Sequence, residues 1–135
     1  MPKSRMLDPK PFELSARFLS ETITVPILDP VDGTTETGAS WTLRSPLSRE
    51  ARDAGRQYDV AHADDATVDI FARIDAQLLA VTAGWDRIAL DGEPLACTPA
   101  NVERVLNDPR LAWIGPQLRG FYLDSARFFG LPRKA

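Results

Sequence analysis

The spacing of apolar residues changes near Ser45, and this change constrains the fold more than any other feature of the chain. Before it, Ile23, Val25 and Ile27 alternate with a threonine and a proline, and a period of two indicates a strand. After it, apolar residues recur every three or four positions, as on a helix. Strands followed by helices within 135 residues predict a single α+β domain, a small N-terminal β-hairpin packed on a bundle of about four helices.

The hairpin is predicted from two short strands and the turn between them. Pro26 indicates that the first strand lies at an edge, because proline cannot donate a ladder hydrogen bond. Residues 29–33, DPVDG, have the composition of a turn. Residues 39–44 then form the second strand, with Trp41 and Leu43 on one face.

The domain is predicted to span residues 1–135 in three parts. Residues 1–10 are polar and contain two prolines, so they are expected to form a mobile tail. Residues 11–45 form the β-hairpin part, and residues 46–135 form the helical part.

The first two helices are predicted from their caps and apolar stripes. Ser45 followed by Pro46 is a plausible start for the first helix. Asp64 or Asp65 would cap the second, assigned to residues 65–83. The second stripe is the more regular one and would end in a buried tryptophan beside the stop residue Gly84. The two stripes are Leu47, Ala51, Ala54 and Tyr58, then Val68, Phe71, Ile74, Leu78, Val81 and Trp85.

Two Xaa-Pro pairs predict the starts of the remaining helices. Thr98-Pro99 and Asp108-Pro109 each place a capping side chain before a proline that suits the first helical position. In the fourth helix, Gly115-Pro116 is expected to bend the helix or to split off its first turn.

Residues able to carry out chemistry are sparse and scattered. His62 is the one histidine and is expected to be a solvated turn residue. Cys97 is the one cysteine and is expected to be buried and structural. Asp64, Asp65 and Asp69 resemble a magnesium cluster but also suit a helix N-terminus, which we favour. We therefore expect no catalytic residue, no metal and no cofactor.

Charge and hydropathy exclude further classes. The net charge of −3 argues against a nucleic-acid binder, which should be basic. Arginines on the first predicted helix alternate with Glu50 and Asp53, which favours a solvated, ion-paired surface. No apolar run approaches the ~20 residues of a membrane span, so a cytoplasmic protein is expected.

The C-terminal helix has more aromatic residues than one core stripe needs. Phe121 and Phe128 fit the stripe, whereas Trp113, Tyr122 and Phe129 lie beside or away from it. Either all these rings belong to one broad core face, or some are exposed. We predict that Trp113, Tyr122 and Phe129 form a surface for self-association and for a helical partner.

Most of the chain between residues 23 and 129 resembles a known family. The motifs are Gly84-Trp85-Asp86, residues 91–95 (DGEPL), the Thr98 helix start and the closing helix that ends at Phe128-Phe129. In this order they resemble the tail assembly chaperones of long-tailed bacteriophages, and residues 41–46 (WTLRSP) resemble the N-terminal part of that family. Residues 96 and 97 depart from the pattern, which has bulkier or aromatic side chains there.

The resemblance implies a non-enzymatic protein of the host cytoplasm. Such chaperones bind and solubilise the tape measure protein, help to recruit tail tube subunits and are absent from the mature virion. Two alternatives stay open from the sequence. A structural tail completion or connector protein would be present in purified particles, and a small nucleic-acid-binding regulator would show a salt-dependent affinity for DNA.

Overall fold

The computed structural model describes residues 11, 13–14 and 18–130 of the chain. The predicted tail, residues 1–10, lies outside the described residues. Strands and helices combine into the α+β fold that the sequence predicts. No described helix is long and apolar enough to cross a membrane.

In the described part of the chain, the strands form one three-stranded antiparallel sheet and two short two-stranded ladders. The sheet has the order β2-β3-β4, while β1 pairs with β7 and β5 pairs with β6. The strands are β1 Phe18–Leu19, β2 Thr22–Leu28, β3 Glu36–Arg44, β4 Thr82–Asp86, β5 Ala89–Leu90, β6 Glu93–Pro94 and β7 Phe129–Gly130.

Within residues 18–130, four α-helices and two 3₁₀ turns make up the helical layer. The α-helices are α1 Arg49–Ala61, α2 Ile70–Val81, α3 Pro99–Asn107 and α4 Ile114–Leu123. The 3₁₀ turns are Pro109–Leu111 and Ser125–Phe128.

The predicted hairpin is confirmed by β2 and β3. Val25 lies opposite Trp41, and Trp41 and Leu43 are both buried. In the turn, the carboxylate of Asp32 accepts hydrogen bonds from the backbone of the two residues after Gly33. Gly33 has a φ of +71°, which glycine adopts at little cost.

The strand β4 was not predicted, and it corrects the helix assigned to residues 65–83. The helix begins at the cap Asp69 rather than at Asp64 or Asp65. It ends at Thr82, whose hydroxyl donates to the Leu78 carbonyl at 2.7 Å. Trp85 therefore lies on a strand, opposite Trp41, and not at the end of a helical stripe. Its ring is partly buried against the core, with ring centroids 4.9 Å apart across the Trp pair.

The start of α1 also differs from the prediction. Ser48 caps the helix by accepting from the Ala51 amide at 3.2 Å. Ser45 is buried instead, and its hydroxyl accepts from the Leu47 amide at 2.9 Å. Both serines thus accept a hydrogen bond from a nearby backbone amide, but only Ser48 directly precedes the helix. Leu47, placed in the predicted stripe, is exposed.

Of the two helix starts predicted at Xaa-Pro pairs, one begins an α-helix and the other begins a 3₁₀ turn. Thr98 caps α3 and Pro99 is its first residue, as predicted. Asp108-Pro109 opens only a 3₁₀ turn, and α4 starts five residues later. Pro116 lies in the first turn of α4, where no intrahelical donor is required of it. The predicted splitting of this helix is confirmed, although α4 ends at Leu123 and not near Gly130.

The core lies between the sheet and the helices. α1 packs on α2 through small residues, and a Cβ on Gly55 would come within 2.6 Å of the Arg73 guanidinium. Gln117 on α4 joins the two layers, because its side-chain amide donates to the Leu28 carbonyl and accepts from the Leu28 amide, each at 2.9 Å. The buried apolar residues are Val25, Ile27, Trp41, Leu43, Ala51, Ile74, Leu78, Val81, Val102, Val105, Ile114, Leu118, Tyr122 and Phe128.

Candidate partner-binding pocket

No group of three or more His, Cys, Asp or Glu side chains suited to a metal is found among the described residues. His62 is exposed at the end of α1, where its Nδ1 lies 2.9 Å from the Tyr58 carbonyl and its ring stacks on the Tyr58 ring. On α1, Asp53 pairs with Arg49 and Arg56, the ion-paired surface expected from the sequence.

Cys97 is exposed, so the expectation of a buried structural cysteine is wrong. The residue lies in the loop between β6 and α3, where a short connection runs over the surface. Protein atoms displace part of the water around the sulfur and raise the pKa of the thiol, which disfavours the reactive thiolate.

The three aromatic residues predicted to bind a partner have three different environments. Tyr122 is 1% exposed and belongs to the core, so its ring is not available to a partner in this fold. Phe129 is 45% exposed and lies on β7, opposite Leu19. Trp113 is partly buried and lines an apolar pocket that contains neither of the other two. They do not form one surface because α4 spans only Ile114–Leu123, so that Trp113 precedes the helix, Phe129 follows it, and the regular spacing is lost.

The pocket beside Trp113 is the concave apolar feature that best fits a binding site. It has a volume of about 200 Å³ and lies between one end of the sheet and the junction of α3 with α4. Apolar side chains with a few polar groups are typical of ligand sites. Its lining residues are Ile27, Thr37, Ala39, Trp41, Arg87, Ile88, Ala89, Leu90, Val105, Leu111, Trp113 and Ile114.

A bulge in β3 forms the floor of this pocket. The pairing of β2 with β3 shifts between Pro26 and Leu28, so that three β3 residues, Thr37 to Ala39, lie opposite Ile27 alone. Gly38 has a φ of +88° within this bulge. The Thr37 hydroxyl donates to the Ile27 carbonyl at 2.7 Å, which satisfies an acceptor that the bulge leaves without its ladder partner.

The β5-β6 hairpin forms one wall. Asp91 and Gly92 make its turn with φ of +52° and +84°, the conformation that Asp-Gly pairs favour in tight hairpins. The Trp85 indole donates to the Leu95 carbonyl at 2.7 Å, and the Leu95 amide donates to the Ile88 carbonyl at 2.9 Å. These bonds hold the hairpin beside β4. Ile88 is thereby placed in the lining of the pocket.

A network of charged side chains fixes the tip of the same hairpin. Arg110 lies 3.0 Å from Asp91 and 2.9 Å from Asp108, and Arg104 lies 3.9 Å from Asp91. Hydrogen bonds from Arg110 lower the pKa of both carboxyls and raise the pKa of the guanidinium. The hairpin wall is thereby tied to α3 and to the 3₁₀ turn before α4.

Arg87 is the one charged residue in the pocket lining. Its φ of +58° is unusual for a residue with a side chain. One guanidinium nitrogen would lie 4.0 Å from a Cβ on Gly38, so the guanidinium extends over the β3 bulge. Asp86 approaches it only to 3.9 Å, and both side chains are largely exposed.

Sequence reasoning found Trp113 but missed its partners in the pocket. Leu111 and Ile114 precede Phe121 and Phe128 at helical spacing, which indicates a core stripe rather than a pocket, and Trp41 was predicted only to share a strand face with Leu43. Ile88 had no assignment as a pocket residue. Its position depends on residues 82–86 forming a strand, a pairing with β3 that no local pattern reveals.

Comparisons with known proteins identify no relative. No protein-family model matches the chain, and no curated protein or solved structure is significantly similar to it. Any function must therefore be inferred from the residues and their geometry.

Proposed function

We propose that this protein is a tail assembly chaperone of a long-tailed bacteriophage, with the pocket beside Trp113 as its contact to the tape measure protein. One observation carries the proposal. Part of the region in which the sequence resembles that family, the motifs from Gly84 to Leu95, forms the β4 end and the hairpin wall of the pocket. Motifs that resemble the family therefore lie next to the apolar pocket.

The pocket suits repeated, reversible contact with an extended partner. A volume of about 200 Å³ is below the ~300–1,000 Å³ of pockets for drug-sized ligands, so it accepts one side chain rather than a large ligand. One such contact is weak, but many copies along a rod, aided by self-association, gain avidity. A coat of this kind would keep apolar stretches of the tape measure protein from aggregating before tail tube subunits enclose it. In this role the protein acts in the host cytoplasm and is absent from the mature virion.

Co-expression tests the proposal. The tape measure protein, the long helical product of a neighbouring tail gene, should be insoluble when expressed alone and soluble with this chain. Ala89→Trp should abolish co-purification, because Ala89 is exposed and lines the pocket, so that a large ring there would fill it. Ala126→Trp is the matched control, since Ala126 is equally an exposed alanine but is not part of the lining.

Two results would count against the proposal. A tape measure protein that stays insoluble in the presence of the chain would remove the chaperone role. Stoichiometric amounts of the chain in purified particles, measured by mass spectrometry, would instead favour a structural tail protein.

A further inference from the structure

We propose that the pocket selects an apolar side chain accompanied by a carboxylate, so that the recognised segment of the partner is apolar and acidic. This inference rests on the proposed function, since it states the chemistry of the tape measure segment that is bound. It follows from the shape of the pocket and from the charge at its rim.

The apolar part of the specificity comes from size and lining. The interior is formed by aliphatic and indole groups, including Ile88, Leu111 and Trp113. A polar side chain placed there would lose its hydrogen bonds to water without replacing them. A leucine or phenylalanine side chain would instead remove its own apolar surface, and that of Trp113, from water.

The acidic part of the specificity comes from Arg87. Its side chain is 77% exposed, and its contact with Asp86 at 3.9 Å joins two groups that are equally exposed. Such a pair contributes little stability, so the guanidinium retains donors for an incoming carboxylate. Guanidinium–carboxylate hydrogen bonds are among the stronger ones in proteins and fix orientation.

The other arginines near the pocket do not compete for this role. Arg104 and Arg110 face Asp91, and Arg110 also binds Asp108. Two carboxylates therefore already balance these two guanidinium groups. A basic partner segment would meet Arg87 at the rim and lose affinity, which makes charge a means of selection.

On a helical partner, an apolar and an acidic residue three or four positions apart would satisfy both requirements. Residues at this spacing lie on one face of a helix. The apolar side chain would enter the pocket while the carboxylate reaches Arg87 over the β3 bulge.

Two small probes test the inference without the partner. N-acetyl-L-phenylalanine has the ring and a carboxylate, and N-acetyl-L-phenylalaninamide has the same ring without the charge. Binding is followed by NMR from the indole N–H signal of Trp113. The backbone amide signal of Gln57, an exposed residue of α1 outside the lining, is the internal reference. We expect the acid to bind about two- to fivefold more tightly than the amide at low salt, as a single exposed ion pair allows.

Arg87→Gln should abolish this preference, whereas Arg52→Gln should keep it. Arg52 is an exposed arginine on α1 and is not part of the pocket lining, so it controls for net charge. Arg87→Asn is a second neutral variant, because asparagine tolerates positive φ better than most residues. It should also lose the preference.

The outcomes separate this inference from the proposed function. Equal binding of acid and amide to the unaltered protein, or no change at Trp113, would overturn the inference even if the tape measure protein is solubilised. A clear preference for the acid that depends on Arg87 would support it even if the tape measure protein is not the partner.

Discussion

Replacing Tyr122 by alanine should destabilise the fold severely, and this follows from its burial. The side chain is 1% exposed and lies in the core between α2 and α4. Truncation of a fully buried aromatic side chain to alanine costs about 3–5 kcal/mol. Because domains of this kind are stable by about 5–15 kcal/mol, the variant should retain only part of its stability.

The hydroxyl contributes much less than the ring. It donates to Gln77 Oε1 over 3.4 Å, which is long for such a bond. Tyr122→Phe should therefore cost no more than about 1 kcal/mol. Phe129→Ala should also cost about 1 kcal/mol, since 45% of that residue is already exposed in the folded state.

Urea unfolding followed by tryptophan fluorescence and by circular dichroism measures all three variants. The expected order of destabilisation is Tyr122→Ala far above Tyr122→Phe and Phe129→Ala, with a similar slope against urea for each. If Tyr122→Ala lost less than about 1 kcal/mol while binding of the tape measure protein disappeared, the ring would lie on the surface. The placement of α4 described above would then be wrong.

Three further predictions concern other parts of the molecule. Gln117→Ala should cost about 1–3 kcal/mol in the same assay, because it leaves a part-buried amide and carbonyl of β2 without their partner; Gln57→Ala, at an exposed position of α1, should be nearly neutral. The free energy of unfolding should fall between pH 10 and 12, because burial raises the pKa of Tyr122 from 10.0 to about 12 and the unfolded chain loses this proton first. Tyr122→Phe should make the urea midpoint depend less on pH in this range. Cys97 should react with a maleimide in the native protein as fast as in urea once thiolate fractions are matched, since the residue is exposed; protection in the native state would contradict its position.

Local patterns in the sequence predicted those elements whose causes are local. The β2–β3 hairpin follows from alternation and a turn, and α3 follows from Thr98-Pro99. Where more than one residue could cap a helix, the prediction was wrong. The first helix is capped by Ser48 and not by the predicted Ser45. The second is capped by Asp69 and not by the predicted Asp64 or Asp65. Each candidate can accept from a backbone amide, and only the packing of the following helix decides which one does.

Strand β4 was not predicted, because no local pattern in the sequence indicates it. Trp85 follows Val81 by four residues, the spacing of a helix, yet it pairs with Trp41 on a strand far away in the sequence. Cross-strand packing, rather than intrinsic preference, determines whether such a residue joins a sheet. The pocket depends on this pairing and on the β3 bulge, so it could be found only in the folded structure, although the sequence did indicate Trp113.

The closure of the sheet has a consequence for how the protein emerges from the ribosome. The Trp41 indole donates to the Thr82 hydroxyl, 41 positions later, and Leu28 meets Gln117 after 89 positions. At a synthesis rate of about 5–20 residues per second, the nascent hairpin, complete at Arg44, waits about 2–8 s for β4 and about 4–15 s for Gln117 of α4. Until α4 is synthesised, the apolar face around Val25 and Leu43, buried in the final fold, is covered only in part, because α4 is one of the helices that contact the sheet. A chain that stops before residue 117 therefore lacks the side chain that joins α4 to the sheet.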